Sequence, residues 1–230
     1  MQKQRNRGIL MEHKKTFING EWMDGTSGRI LQSVNPSTGE VIAEVRENSI
    51  SDVKAAVTAA KTAFYEERTW RDMDVQTRSD ILLHIASLVE ENLENIAETE
   101  AMDNGKPLRE AEADVDDAVH CFRYYAGLIR TPKEGVYEVN GNFGRMHSME
   151  VREPIGVCAL ITPWNFPFLM GVWKLAPALA AGNCIIFKPS SETVLSTILM
   201  FEIFEKAGLP KGTVNLVIGP GGSIGNFLAE

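Results

Sequence analysis

Cysteine is scarce, with three residues, Cys121, Cys158 and Cys184, in a chain of 230. An odd number without CxxC spacing speaks against a disulfide framework and against a zinc site, and the three read as reduced thiols. Positive charge is also short: 23 Lys and Arg stand against 31 Asp and Glu, a net charge of −8. Recognition of a phosphate backbone needs clustered cations, so a nucleic-acid partner is argued against. No apolar run is long enough to span a bilayer, and the basic start MQKQRNRG has no signal-peptide apolar core behind it. The expected setting is therefore cytoplasmic, with no membrane partner. Repeats and low-complexity linkers are missing as well. What is present is an ordinary globular balance, 44% hydrophobic and 23% charged, which excludes disorder and collagen-like structure, in a chain long enough to bury a core.

The first stretch, TFINGEWMDGTSGRILQSVNPSTGEVIAEV, has short alternating segments punctuated by Asn19-Gly20, Asp24-Gly25 and Asn35-Pro36, and predicts small strands and hairpins. From Ser51 the period becomes helical, with Ser51 as the expected cap and Lys54 at the third helical position. Ile81 to Met102 predicts a second helix, ended by Asn104-Gly105 and followed by Pro107, and Leu108 to Leu128 a third with acidic residues toward its start. Between Thr131 and Pro154 the helical period stops, and alternation around Asn140-Gly141 predicts a hairpin with one face toward solvent or a partner. The apolar runs IGVCALI and CIIF then predict parallel strands buried on both faces, with crossover helices over Trp173 to Ala181 and Thr193 to Ala207.

Three features after Pro154 can carry chemistry, because ligands of open parallel sheets sit beyond the carboxyl ends of the strands. In PWNFP, Pro163 and Pro167 restrict the backbone around Trp164 and Asn165. The Asn165 amide could donate to a developing alkoxide, or merely bond its own backbone in a turn. Lys188 closes the strand CIIF ahead of Pro189, Ser190 and Ser191. It suits ribose hydroxyls or a phosphate, or else is solvated while a serine caps the next helix. Gly219 to Gly225, GPGGSIG, follows the apolar run VNLVI. It could admit phosphates, although it is not a GxGxxG fingerprint and such turns are more often only turns. Cys158 and Cys184 lie inside apolar strands. Cys121 adjoins His120, but neighbouring helix residues do not face each other, so the pair is not read as nucleophile and base.

Taken in order, FINGEW, NPSTGEVIAEV, DNGKPLREAEADV, ITPWNFP, WKLAPALAAGN, FKPSSET and GLPKGTVNLVIGPG resemble the aldehyde dehydrogenase superfamily over essentially everything from Phe17 onward, with most likeness to its betaine-aldehyde-type members. The resemblance implies a partial Rossmann-like, doubly wound α/β sheet with an N-terminal strand and helix region and a protruding hairpin. It divides the chain into a tail (1–16), an N-terminal part of the cofactor domain (17–131), an oligomerisation hairpin (132–154) and a cofactor-binding core (155–230). It further implies NAD- or NADP-dependent oxidation of an aldehyde to an acid through a thiohemiacetal and a thioester on a cysteine, in homodimers or homotetramers. Asn165 matches the oxyanion donor; Ile161, Thr162, Pro163 and Trp164 match the nicotinamide and ribose wall. Lys188 matches the ribose lysine, and Gly221 and Gly225 the glycines at the adenine end. Phe166, Leu169, Met170 and Trp173 match the apolar wall of the aldehyde tunnel, although helical spacing alone would make several of them core; an indole face there could also meet a quaternary ammonium.

Two departures stand out. NAD-preferring relatives carry a glutamate three residues after the lysine, where this chain has Ser191 followed by Glu192. A hydroxyl does not repel a 2′-phosphate, so both cofactors are expected to bind unless Glu192 turns inward. The family's nucleophilic cysteine, general-base glutamate and later phosphate motif all fall beyond Glu230. The 230 residues alone are therefore expected to be inactive and marginally stable, to aggregate or to need a complementing segment. An alternative is a non-enzymatic nucleotide-binding or association role.

Overall fold

The computed structural model describes residues 12–131, 135–142 and 144–230. Most of the expected tail, and residues 132–134 and 143 of the expected hairpin, lie outside the described residues. The described residues open with five short strands, β1 (Glu12–Lys14), β2 (Thr16–Ile18), β3 (Glu21–Met23), β4 (Ile30–Val34) and β5 (Val41–Arg46). Asn19 and Gly20 both take positive φ, 54° and 78°, between β2 and β3. That is the twist a two-residue hairpin turn requires. Four α-helices follow, α1 (Ile50–Lys61), continued by a π-helical turn over Thr62–Glu67, α2 (Val75–Glu91), α3 (Leu93–Asn104) and α4 (Leu108–Ile129), and then the exposed hairpin of β6 (Val136–Gly141) and β7 (Gly144–Met149). Parallel strands β8 (Val157–Ile161), β9 (Cys184–Lys188) and β10 (Val214–Leu216) alternate with α5 (Pro167–Ala180) and α6 (Leu195–Lys206), and α7 (Asn226–Ala229) ends the chain.

The main sheet has the order β3-β2-β10-β9-β8, and a separate three-stranded sheet is ordered β1-β5-β4. β8, β9 and β10 run parallel, while β2 pairs antiparallel with β10, Phe17 opposite Leu216. Alternate residues of β9 serve opposite layers. Ile185 and Phe187 belong to the large core shared with α5 and α6, whereas Cys184 and Ile186 pack with Val53, Ala56 and Ala60 of α1. A strand covered by helices on both sides must be apolar at every position, which is why CIIF shows no alternation.

Several sequence expectations change at this level. The run IGVCALI is not buried on both faces: β8 is an edge strand, Ala159 and Ile161 are exposed, and no described strand pairs with its outer side. The helix expected over 81–102 is two helices, broken at Asn92, whose side-chain amide donates to the Leu88 carbonyl at 2.7 Å and competes with the helical ladder. The cap of α1 is Ser49 rather than Ser51: the Asp52 N–H donates to the Ser49 hydroxyl and the Ser49 N–H to the Asp52 carboxylate, a reciprocal pair that fixes the start two residues earlier. The first crossover helix starts at Pro167, not Trp173, because proline at the first helical position has no N–H to leave unpaired. The second starts at Leu195, and neither Ser190 nor Ser191 caps it. Among the described residues no helix is long and apolar enough to cross a membrane.

Candidate functional site

The carboxyl ends of β8 and β9 lie side by side. Ile161 is directly opposite Lys188 in the strand register, and the Thr162 N–H donates to the Lys188 carbonyl at 3.2 Å. The turn from Pro163 to Phe166 therefore begins beside Lys188. It is tied to the loop beyond Lys188 as well, since the Thr193 hydroxyl donates to the Trp164 carbonyl at 3.2 Å. The resulting face is open: Ile161, Trp164, Phe166 and Trp173 are 42, 58, 42 and 54% exposed, and Pro163 and Asn165 are exposed too. The Asn165 carboxamide has no hydrogen-bond partner among the described residues, so the self-bonded turn weighed from the sequence is not what forms. Phe166, Met170 and Trp173 recur at helical spacing along one side at the start of α5, whereas Leu169 is 4% exposed and belongs to the large core.

Lys188 is 3% exposed, and its ammonium donates to the Pro189 carbonyl at 2.9 Å. Burial pushes its pKa down, the mark of a cation held with few partners. The Thr162 and Ser191 hydroxyls are buried with no partner, while Glu192 is exposed. Gly225 backs onto the lysine stem: a Cβ there would stand 3.5 Å from Lys188 Cε. Gly221 and Gly222 are exposed at the start of a π-helical turn (Gly221–Gly225), and outside that turn nothing lies within 4 Å of where a Cβ would be at either, so no other part of the fold covers them. A buried ammonium, two orphaned hydroxyls and uncovered backbone fit a ligand carrying sugar hydroxyls and phosphates. Pro163, Trp164, Asn165, Lys188 and Ser191 thus gather around neighbouring strand tips, and Gly225 adjoins them through Lys188.

Carboxylates from α3 hold the helices behind this face. Glu100, fully buried, accepts from the Phe168 N–H in the first turn of α5 at 3.1 Å, and Asp103 accepts from the Leu195 N–H at the start of α6 at 2.8 Å. Burial pushes Asp103 up to about 6, against the pull of the Ser33 hydroxyl and the Leu195 N–H, and raises Glu100 despite the neighbouring Lys106 ammonium. Sequence reasoning assigned neither carboxylate a role. Their only signal was that Glu100 and Asp103 fall at core-facing helical positions, where an acid needs a partner.

The cysteines stand apart from this chemistry. Burial pushes the Cys121 thiol up to about 11 and Cys184 up to about 12, the latter helped by Cys158 and Glu67, and it raises Cys158 too. His120 faces Asp116, 3.6 Å away, and not Cys121. A cavity of about 650 Å³ opens elsewhere, at the amino-terminal end of β9, lined by Arg78, Arg130, Arg152 and Ala181 among others. No described cluster of histidines, cysteines and acids is placed to hold a metal ion.

A doubly wound α/β layer with its polar groups gathered at the strand tips is the class that fold and site define together. Residues 22–230 match the model of the aldehyde dehydrogenase family, and the chain belongs to that family. It is 46% identical over 213 residues to a betaine aldehyde dehydrogenase of Bacillus subtilis, covering 93% of this chain and 43% of that protein. To aldehyde dehydrogenase B of Escherichia coli it is 44% identical, covering 93% and 40%. A crystal structure of betaine aldehyde dehydrogenase from Staphylococcus aureus in complex with NAD+ superposes with a TM-score of 0.88 at 38% identity, covering 94% of this chain and 42% of that one. The chain thus spans about two fifths of the length of the relatives it matches.

Proposed function

We propose that this chain is the cofactor-side part of an NAD(P)-dependent aldehyde dehydrogenase, an oxidoreductase that converts an aldehyde to a carboxylic acid. The observation that carries the reading is the Thr162 N–H to Lys188 carbonyl bond, which sets the Asn165 turn beside the buried lysine at adjoining strand tips. Lys188 and Ser191 would hold the ribose hydroxyls, Gly221 and Gly225 the adenine end, and Ile161, Thr162, Pro163 and Trp164 the nicotinamide side. The dinucleotide, when bound, supplies a hydride acceptor. Asn165 donates its amide to the oxygen of the aldehyde as negative charge develops there. Phe166, Leu169, Met170 and Trp173 form the apolar approach, with Leu169 contributing from behind, within the core. The hydroxyl of Ser191 and the outward position of Glu192 leave room for a 2′-phosphate, so NADP is accepted with NAD. The substrate is assigned as an aldehyde without further distinction, because the relatives at 46 and 44% identity carry different names.

We divide the chain as a tail (1–16), residues 17–131, a hairpin (132–154) and a core (155–230). The Thr16–Met23 hairpin joins the sheet of the core. The exposed Tyr137, Met146 and Met149 of the hairpin suit association with a second copy, and three free thiols suit a reducing, cytoplasmic setting. Calorimetric titration of the chain with NAD+ and NADP+ tests the reading. Binding of both, weakened about tenfold to a hundredfold in Lys188→Met, is expected; no binding of either overturns it, and exclusion of NADP alone defeats the serine argument.

One observation favours a second reading. All three thiols have raised pKa values and none lies at the carboxyl tips of β8 and β9, so the described residues hold no activated thiol. By themselves they would bind nucleotide or associate with longer homologues without turnover. An aldehyde-dependent rise in NADH absorbance from the purified chain would overturn that second reading.

A further inference from the structure

We propose that the corner between α3 and α4, through Glu100, Asn104 and Lys106, is a clamp that positions the Asn165 carboxamide. The proposal rests on the reading of Asn165 as the amide donor. It starts from an imbalance: the Asn165 side chain is exposed and has no hydrogen-bond partner among the described residues, so nothing it touches by its own polar atoms fixes its direction. A side chain in that position is aimed only as well as the backbone on either side of it is held.

Both sides are held by the same corner. Before Asn165, the Trp164 carbonyl accepts from Asn104 Nδ2 at 2.8 Å. After it, the Phe166 ring lies under the Lys106 ammonium, 4.7 Å from Nζ to the ring centroid. Two residues further on, the Phe168 N–H donates to Glu100 Oε2 at 3.1 Å. Three anchors thus span five residues of the turn, and all come from the seven residues between Glu100 and Lys106.

The anchors are in turn fixed to one another. Lys106 Nζ contacts Glu100 Oε1 at 2.7 Å and Asp114 Oδ2 at 2.6 Å, so one ammonium joins α3 to α4 and also covers the ring. Between Asn104 and Lys106 the chain reverses at Gly105, with φ +85°, and a Cβ at that position would stand 2.5 Å from Pro36 Cγ. The reversal lets Asn104 and Lys106 reach the turn from the same side, and the close approach of Pro36 backs the corner against the β4–β5 region. Thr193 supplies a second donor to the Trp164 carbonyl from the other flank, so Asn104 closes a pair rather than acting alone.

A clamp of this kind predicts that loosening Asn104 disturbs Asn165 although the two side chains share no contact. The test uses the 230-residue chain labelled with ¹⁵N on asparagine side chains, the Asn165 pair of carboxamide signals being identified by its loss in Asn165→Ala. Lys106→Met strips the buried Glu100 of its counter-charge and endangers the fold, so the informative variants are Asn104→Ala and the conservative Lys106→Arg. Asn104→Ala is expected to move the Asn165 carboxamide pair away from its wild-type position, because the held backbone sets the surroundings of that exposed side chain. Lys106→Arg, which keeps the charge over the ring, is expected to leave it in place. A purely structural role for the corner would change stability in Asn104→Ala without moving that signal, and an unmoved signal overturns the clamp. Titration of NAD+ against wild type separates the two readings: absence of binding sinks the proposed function, whereas the carboxamide result judges the clamp alone.

Discussion

The α3–α4 corner and the tips of β8 and β9 are neighbours that treat buried polar groups in opposite ways. In the corner each charge is answered: Lys106 meets Glu100 and Asp114, and Asp103 accepts from Ser33 and from Leu195. At the strand tips the Lys188 ammonium has a single carbonyl, and the Thr162 and Ser191 hydroxyls have nothing. Unanswered polar groups cost stability wherever they lie, and Arg78 Nε and the Ser196, Thr197 and Thr213 hydroxyls are buried without a partner too; what sets the strand tips apart is that a buried ammonium stands among them. The answered groups hold the scaffold, and the unanswered ones are where the proposed nucleotide would bind.

Five substitutions and one pH series probe that contrast. Lys106→Met should have the largest effect, because it leaves Glu100 buried without its cation; a loss of about 3–5 kcal/mol is expected in urea denaturation at neutral pH. A loss below about 1 kcal/mol, the value of an exposed ion pair, would show that the corner is not different in kind. Next comes Asp103, whose carboxyl is raised from 3.8 to about 6. The native state holds this proton more tightly than the unfolded chain does, so stability falls as pH rises from about 4 to about 6 and is level above that window, a change of about 3 kcal/mol. Asp103→Asn should flatten that slope, and denaturation midpoints that fall equally steeply in both proteins would refute the assignment. Gly105→Ala forces a side chain into the left-handed region and against Pro36, and should cost about 2 kcal/mol, read as a lowered melting temperature.

On the other side of the comparison the expected signs change. Lys188→Met removes a buried charge with one partner and should leave stability within about 1 kcal/mol or raise it. The same variant should weaken nucleotide binding about tenfold to a hundredfold, the range for a charge-assisted hydrogen bond. Destabilisation on the scale of Lys106→Met would mean that Lys188 is structural. Asn165→Ala should be the quietest of all, within about 0.5 kcal/mol in denaturation, because the side chain is exposed and unbonded.

The sequence made one of these regions legible and left the other obscure. That Asn165 and Lys188 stand at neighbouring strand tips was legible because apolar runs followed by polar residues mark the carboxyl ends of parallel strands. Glu100, Asn104 and Lys106 do their work across gaps of tens of residues in sequence, and no local pattern records that Phe168 or Trp164 needs a partner from another helix. The same limit explains β8. IGVCALI and CIIF look alike as strings, but one is interior and the other an edge, and only strand order tells them apart. Asn92 shows the finer case: its amide breaks a helical run that apolar spacing alone joins. Hairpin turns such as Asn19-Gly20 were readable because their backbone angles are set by the two residues themselves.

The pairing of Phe17 with Leu216 carries a consequence for how the molecule is made. The two partners stand about two hundred residues apart, so on a ribosome the β2–β3 ribbon has to wait for that length of chain to emerge before it can dock. Closing so long a loop slows assembly, and during that interval the side of Phe17 destined for the large core is uncovered. A chaperone that shelters short apolar ribbons should therefore raise the yield of this protein during synthesis more than during refolding from urea, where both ends are present from the first moment.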